Sequence, residues 1–430
     1  MWKYRCKTHL LSLIGSFLIG TLFGAITFFV YGDTMQMYMQ EIAREFSSNP
    51  ELLASVEAIL LNPVIQSIGT GIIFAGLVNV VMLVQQLFSK SSYAPFIFLA
   101  LMMFASVYLL MIGILLLIPA VVVCIYGMVT LRSSLAFERH QRNINDDAEI
   151  VRIYKIHHQL NPEYQKMAME CRKNIRKVSS ICVLGVLAAL FVMFFIQNFI
   201  VLLILMIFFF MAFNYLMRYY ASSLMPIRML LYQNCDPEAC ASAIIYFSTK
   251  RNGKIKLTNR LLLAQSLIYM DDPELAMDVL IDFPRRDQAS TLQYWSLMAT
   301  INYMLKDEDA LERCKQEAGK VHMNYGPQGI MVQSEELASI QNKMDLMNGQ
   351  LNTCKKFYLQ ALKKAVMPFQ QVDACYYIGM ISFVEQDYSL ASMYFEKVIS
   401  LGNKMAFVQK AKHFQSKIDA MDLRPSQEEI

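Results

Sequence analysis

Long apolar runs fill residues 9–217, and residues 218–430 read as an ordinary water-facing sequence. A helix that crosses a bilayer needs about 20 apolar residues. Residues 10–31 supply one such helix. Residues 68–88 supply a second, set just after Asn62-Pro63. Residues 95–131 and 181–216 are longer, and neither contains a charge. As one helix, each would reach about 55 Å against a hydrocarbon core of about 30 Å. Each therefore predicts a hairpin of two tight spans. The first divides into 95–112 and 114–131. The second, within 179–217, turns at Gln197-Asn198. The expectation is six spans, with four of them in residues 1–131.

Charge orients the spans. The first loop carries Asp33, Glu41, Glu45, Glu51 and Glu57 against Arg44, whereas residues 132–177 carry ten Lys/Arg against six Asp/Glu. By the positive-inside rule the acidic loop lies outside and the basic loop, 132–178, lies inside. Six spans then put both termini and everything after Arg218 in the cytoplasm, and the chain in the cell membrane. Lys3, Arg5 and Lys7 precede the first span, which reads as a retained signal anchor.

The predicted spans hold no ionisable residue in their interiors, which counts against an ion or proton pathway. Ser12, Ser16, Gly20 and Gly24 share one face of the first span. Ser67, Gly71 and Ala75 continue that spacing on the second. Small residues at this spacing let backbones approach. They predict packing between these two spans, or a homo-oligomer through the first. Asn79 is expected to make an interhelical hydrogen bond. In the basic loop, Asn161 and Pro162 start an amphipathic helix. His157 and His158 are neighbours there. On a helix they point about 100° apart, so no metal site is expected.

The C-terminal half repeats itself. "CDPEACASAIIYF" (235–247) aligns with "DDPELAMDVLIDF" (271–283), with Cys240 on Ala276. Asp and Pro at the start of each cap a helix and set its first φ. Cys240 thus stands at a small-residue packing position. "ACYYIGMISFVEQDYSLASMYFEKVISL" (374–401) has Ile378-Gly379 in a first helix, Asp387-Tyr388 at a turn, and Ala391 with Phe395 in a second helix. This stretch resembles a tetratricopeptide repeat, a helix-turn-helix unit that stacks into a solenoid. It departs from that family's pattern at Cys375, Ser382 and Asn403. Equivalent small positions are Cys240, Ala276, Ala310, Cys354 and Ala391, with a Gly/Pro-containing loop inserted at 321–329.

The expected fold is all-α: polytopic transmembrane helices, then a cytoplasmic tetratricopeptide-like solenoid over 218–404, capped by 405–430. The resemblance implies a concave surface holding Tyr269, Trp295, Asn302, Tyr303, Tyr376 and Phe383, suited to a protein or peptide partner. It also makes Cys240, Ala276, Ala310, Cys354, Gly379, Ala391 and Phe395 packing residues.

Composition narrows the function. The chain is 55% hydrophobic and 17% charged, with a net charge of +4 and no Lys/Arg cluster of the kind nucleic acid needs. Nine scattered cysteines suggest free thiols in a reducing compartment. No phosphate loop, dinucleotide fingerprint, zinc-protease helix or nucleophile elbow is present. The expectation is a non-catalytic membrane scaffold for protein–protein interaction, without cofactor. The alternative is a transport or assembly component whose spans act and whose repeats regulate it.

Overall fold

The computed structural model describes residues 2–46, 62–87, 108–195, 208–250 apart from 209, 210, 213, 217 and 221, then 252–323 and 326–422. Among these residues the structure is helical and contains no strand. One isolated antiparallel bridge pairs Thr249 with Ile255. Two compact units divide the chain. The first holds residues 1–138, 284–292 and 319–335, and the second holds 139–283, 293–318 and 336–430.

The first unit contains α1 (Trp2–Phe46), α2 (Pro63–Leu87) and most of α3 (Leu117–Gln141). Residues 2–30, 63–84 and 117–141 are long and apolar enough to cross a membrane. One boundary of the predicted spans differs from expectation here. Helix α1 runs on to Phe46 instead of ending at 31, because nothing between 32 and 46 breaks a helix. The stretch 95–107 of the predicted third span, and the Gln197-Asn198 turn of the second hairpin, lie outside the described residues.

Helices α1 and α2 pack backbone to backbone. A Cβ on Gly20 would stand 2.9 Å from the Gly71 Cα, and one on Gly24 would stand 2.9 Å from the Ser67 Cα. Ser12 and Ser16 are half-buried, and Ser16 hydroxyl donates to the Leu13 carbonyl. The small-residue face is therefore covered by a helix of the same chain. The ionisable-free interior needs correction. His9 lies inside the apolar part of α1 and is buried, with its Nε2 3.2 Å from the Asn79 Oδ1. Asn79 in turn donates to the Gly113 carbonyl at 2.9 Å. The sequence reading missed His9 because it started the span one residue later.

The second unit begins with α4 (Asp147–His157) and α5 (Tyr164–Phe195). Asp146 caps α4 through the Glu149 N–H. Helix α5 continues past residue 178 without a break, so the basic segment and the start of the next apolar run are one helix. Along the chain then come α6 (Met225–Tyr232), α7 (Pro237–Ser248), α8 (Arg260–Tyr269), α9 (Pro273–Leu280), α10 (Gln288–Leu305), α11 (Glu308–Gly319), α12 (Gly326–Met347), α13 (Leu351–Lys364), α14 (Pro368–Val384), α15 (Tyr388–Leu401) and α16 (Ala406–Asp422), of which residues 288–292 of α10, Gly319 of α11 and residues 326–335 of α12 belong to the first unit. Helix α12 already starts at Gly326, so much of the predicted inserted loop is helix.

Five turns share one backbone. Cys235, Asp271, Lys306, Gly349 and Gln386 all have positive φ. The N–H of the following residue returns to the preceding helix each time: Asp236 to Leu230, Asp272 to Leu267, Asp307 to Asn302, Gln350 to Asp345 and Asp387 to Ser382. A left-handed residue with such a returning bond ends a helix and satisfies its last carbonyls. In four of the five turns, that next residue is an Asp whose side chain caps the new helix, on Ala239, Leu275, Ala310 and Leu390. Each cap is worth about 1 kcal/mol.

Small residues let the paired helices close. Cys240, Ala276, Cys354, Ala391 and Phe395 are fully buried, and Gly379 is buried. A Cβ on Gly379 would meet the Phe395 ring at 2.9 Å, so only Gly fits there. Ala310 is the exception. It is half-buried, and Leu311 and Cys314 fill that position's core.

Candidate functional site: a closed aromatic interior and a histidine–carboxylate cluster

Two constellations in the second unit carry polar chemistry. The first is the interior of the helical pairs. Tyr303 leans on Tyr377 at 6.5 Å, and Tyr377 stacks on Tyr358 at 4.6 Å. Tyr376 stacks on Phe407 at 4.3 Å. Tyr269 meets the edges of Phe407 at 5.8 Å and Phe369 at 6.1 Å. Tyr232 adds to Phe369 at 4.8 Å. Such ring pairs contribute about 0.5–1.5 kcal/mol each beyond area burial.

These contacts close the array on itself. Phe369 and Phe407 belong to the last units of the chain, and Tyr232 and Tyr269 to the first. Around them, the Asn403 amide donates to the Asn234 carbonyl at 2.9 Å, and Lys410 meets Asp271 at 2.6 Å. Lys404 lies 3.4 Å from Asp236 and 3.5 Å from Glu238. The expected open concave surface is thus filled at Tyr269 and Tyr376 by the chain's own rings.

The other expected surface residues are dispersed. Asn302 is buried between α10 and α11, its amide donating to the Cys314 sulfur at 3.4 Å. Trp295 is half-buried against Tyr294. Phe383 packs on Phe414 at 5.0 Å, beneath the last helix. The structure therefore brings together Tyr269, Tyr303 and Tyr376, and places Trp295, Asn302 and Phe383 elsewhere.

Asp373 sits among these rings. Burial pushes its carboxyl up to about 6, against the opposing pull of Lys343. Burial likewise lowers the Lys343 ammonium, which donates to the Ser339 hydroxyl at 3.0 Å. Both residues are half-buried. Sequence reasoning passed over this pair. Its signal was there: Asp373 is the lone charge in residues 365–384.

The second constellation joins α4 to the α8–α9 turn. His157 Nδ1 and His158 Nε2 stand 2.8 and 2.9 Å from the same Asp272 Oδ2. The expectation that these rings point apart is overturned. Only His157 is helical; His158 follows in extended backbone, φ −136° and ψ 159°, which swings its ring round. Burial alone would raise the Asp272 carboxyl, but the hydrogen bonds from His158, His157 and the Leu275 N–H outweigh it and hold it at about 2.

Ion pairs fasten the same contact. Arg139 pairs with Asp282, and Arg142 with Asp278 and Glu274. Arg260 reaches Asp147 at 2.5 Å and donates to the Val279 carbonyl at 2.7 Å. Arg139 and Arg142 thus tie the end of α3 and the turn after it to α9 and the residues that follow it, and Arg260 ties α8 to α4. The buried thiols offer no nucleophile: burial pushes Cys240 up to about 12, and Cys235, Cys314 and Cys354 up to about 11.

No family model, curated protein or solved structure matches this chain.

Proposed function

We propose that the protein is a multi-pass cell-membrane protein whose C-terminal half is a cytoplasmic, tetratricopeptide-like scaffold for a protein partner, with no catalysis of its own. The closed aromatic interior carries the reading. Phe407 stacks on Tyr376 and meets Tyr269, at positions where the repeat resemblance puts the ligand. The chain's own end stands in for a partner segment, and binding requires the seam between the first and last units to open.

The rim of the seam is weakly held. Its ion pairs, Lys410–Asp271 and Lys404–Asp236, involve exposed lysines, and such pairs contribute only about 0–1 kcal/mol each. A partner helix or extended segment carrying aromatic side chains would replace the ring contacts it breaks.

The test uses the full chain in its native membrane. A photo-crosslinking amino acid replaces Tyr376, and a second replaces the exposed Met393 as control. The expected result is a discrete adduct from position 376 that strengthens when Lys404→Glu and Lys410→Glu weaken the seam. Equal adducts from 376 and 393, or none from 376 in either background, reject the reading. A C-terminal fluorescent-protein fusion checks orientation; a dark fusion of normal abundance places the scaffold on the wrong side.

A further inference from the structure

We propose that His157, His158 and Asp272 form a binding site for a divalent first-row transition ion of the zinc class, which pins α4 to the α8–α9 turn. The three donor atoms, His157 Nδ1, His158 Nε2 and an Asp272 carboxylate oxygen, lie within 4.8 Å of one another. Zinc binds imidazole nitrogen and carboxylate oxygen at about 2.0–2.2 Å. Around a tetrahedral ion that places donors about 3.4 Å apart. The present N···O separations of 2.8 and 2.9 Å need to widen by about half an ångström. Small side-chain rotations of His157, at the end of its helix, and of His158, in extended backbone, supply that movement.

The surroundings suit an ion. Asp272 is held from behind, because its other oxygen accepts the Leu275 N–H at 3.1 Å as the cap of α9. Orientation of a ligand by a second hydrogen bond is a regular property of metal sites. The His158 ring is braced by Tyr154, with centroids 5.2 Å apart. His157 is 46% exposed, whereas His158 and Asp272 are 15% and 11% exposed. The ion thus has a wall on one side and solvent on the other, where water completes the coordination.

The donor chemistry selects the ion. Two imidazoles and one carboxylate favour zinc and its first-row neighbours, while magnesium and calcium take oxygen ligands. The neighbouring arginines do not repel it, since Arg142 is paired with Asp278 and Glu274, and Arg260 with Asp147. Both histidines must turn an unprotonated nitrogen to the ion.

The consequence is mechanical. Helix α4 follows the third apolar helix and α9 belongs to the repeated pairs. A shared ion would tie them more firmly than the ion pairs alone.

The experiment uses the full-length protein in detergent, without a polyhistidine tag, stripped with chelator. Zinc is added, excess is removed by desalting, and bound metal is counted by mass spectrometry. Cobalt gives a visible ligand-field spectrum as a second readout. The expected result is one equivalent bound to the wild type, at least tenfold weaker binding in His158→Gln and in His157→Gln, and a zinc-dependent rise in Tm that both variants lose. Asp272→Asn, which keeps the helix cap, is expected to weaken binding similarly. A single cooperative thermal transition in chelator shows that each variant folds. Less than a fifth of an equivalent on the wild type overturns the proposal. So does unchanged retention in the double histidine variant.

Discussion

Helices meet through glycine in both halves of the molecule, but for different physical reasons. In α1 and α2, Gly20 and Gly71 bring two backbones together while Leu18, Leu22 and Phe29 point outward. In α14 and α15, Gly379 makes room for Phe395, which is fully buried, as are Ile244 and Leu267 elsewhere in that unit. Water drives the second kind of packing, because each buried Leu or Phe leaves it. Residues 2–30 and 63–84 are long and apolar enough to cross a bilayer, and inside one lipid tails would give no such drive, so the first kind would depend on close backbone fit and on hydrogen bonds such as His9–Asn79.

The largest expected effect tests the water-driven side. Phe395→Ala leaves a void beside Gly379 and removes the stack on Phe414. It should destabilise the protein by about 3–5 kcal/mol. Limited proteolysis of residues 218–430 reports it, and a loss under 1 kcal/mol would show that this core is not closely packed. Gly20→Leu is the counterpart in the first unit. Its side chain meets the Phe74 Cβ and Gly71 Cα within 3 Å. Overpacking of that kind costs about 1–3 kcal/mol. If the two units are independent, Gly20→Leu raises protease sensitivity in α1–α2 and leaves the second unit untouched.

The comparison also separates what could be read in the sequence from what could not. Helical class, the apolar runs and the small-residue positions were legible because each rests on local spacing. Cys240, Ala276 and Ala391 stand where alignment of the segments put them, and all are buried. Closure of the interior was not legible. It depends on Phe407, in a helix whose composition is mostly polar, meeting Tyr269 far away in the chain. The histidine cluster was missed for a smaller reason. Helical spacing was applied one residue too far, past the end of α4.

Cap removal comes next in size. Asp387→Ala loses the hydrogen bond to the Leu390 N–H and should cost about 1 kcal/mol. The matching substitution Asp272→Ala also frees both histidines, and should cost more than Asp387→Ala at pH 8. Equal losses would mean that His157 and His158 contribute nothing to the contact.

A pH series gives a comparable effect of opposite sign. Asp373 titrates near 6 in the folded chain, above the ordinary carboxylate value of about 4. The folded state therefore holds the extra proton between those values. That contribution is complete below about pH 4 and is lost as pH rises through 6. Asp373→Asn should gain stability relative to wild type between pH 5 and pH 7.5, by about 1 kcal/mol. Lys343, Tyr269, Tyr358 and Tyr377 face the same space, and Lys343 opposes the trend. A difference in Tm that is flat with pH would show that Asp373 is solvated.

The smallest effect falls in the first unit and decides what holds it together. Asn79→Leu removes the link from His9 to the Gly113 carbonyl. In water-soluble cores, stranding a buried polar group costs about 1–3 kcal/mol. In membranes the unfolded chain also finds partners for its polar groups, and single interhelical bonds average about 0.6 kcal/mol. Asn79→Leu should therefore cost less than Gly20→Leu, as measured by unfolding in mixed micelles. If the order reverses, polar bonding rather than backbone fit assembles α1, α2 and the segment at Gly113, and the contrast between the two units narrows.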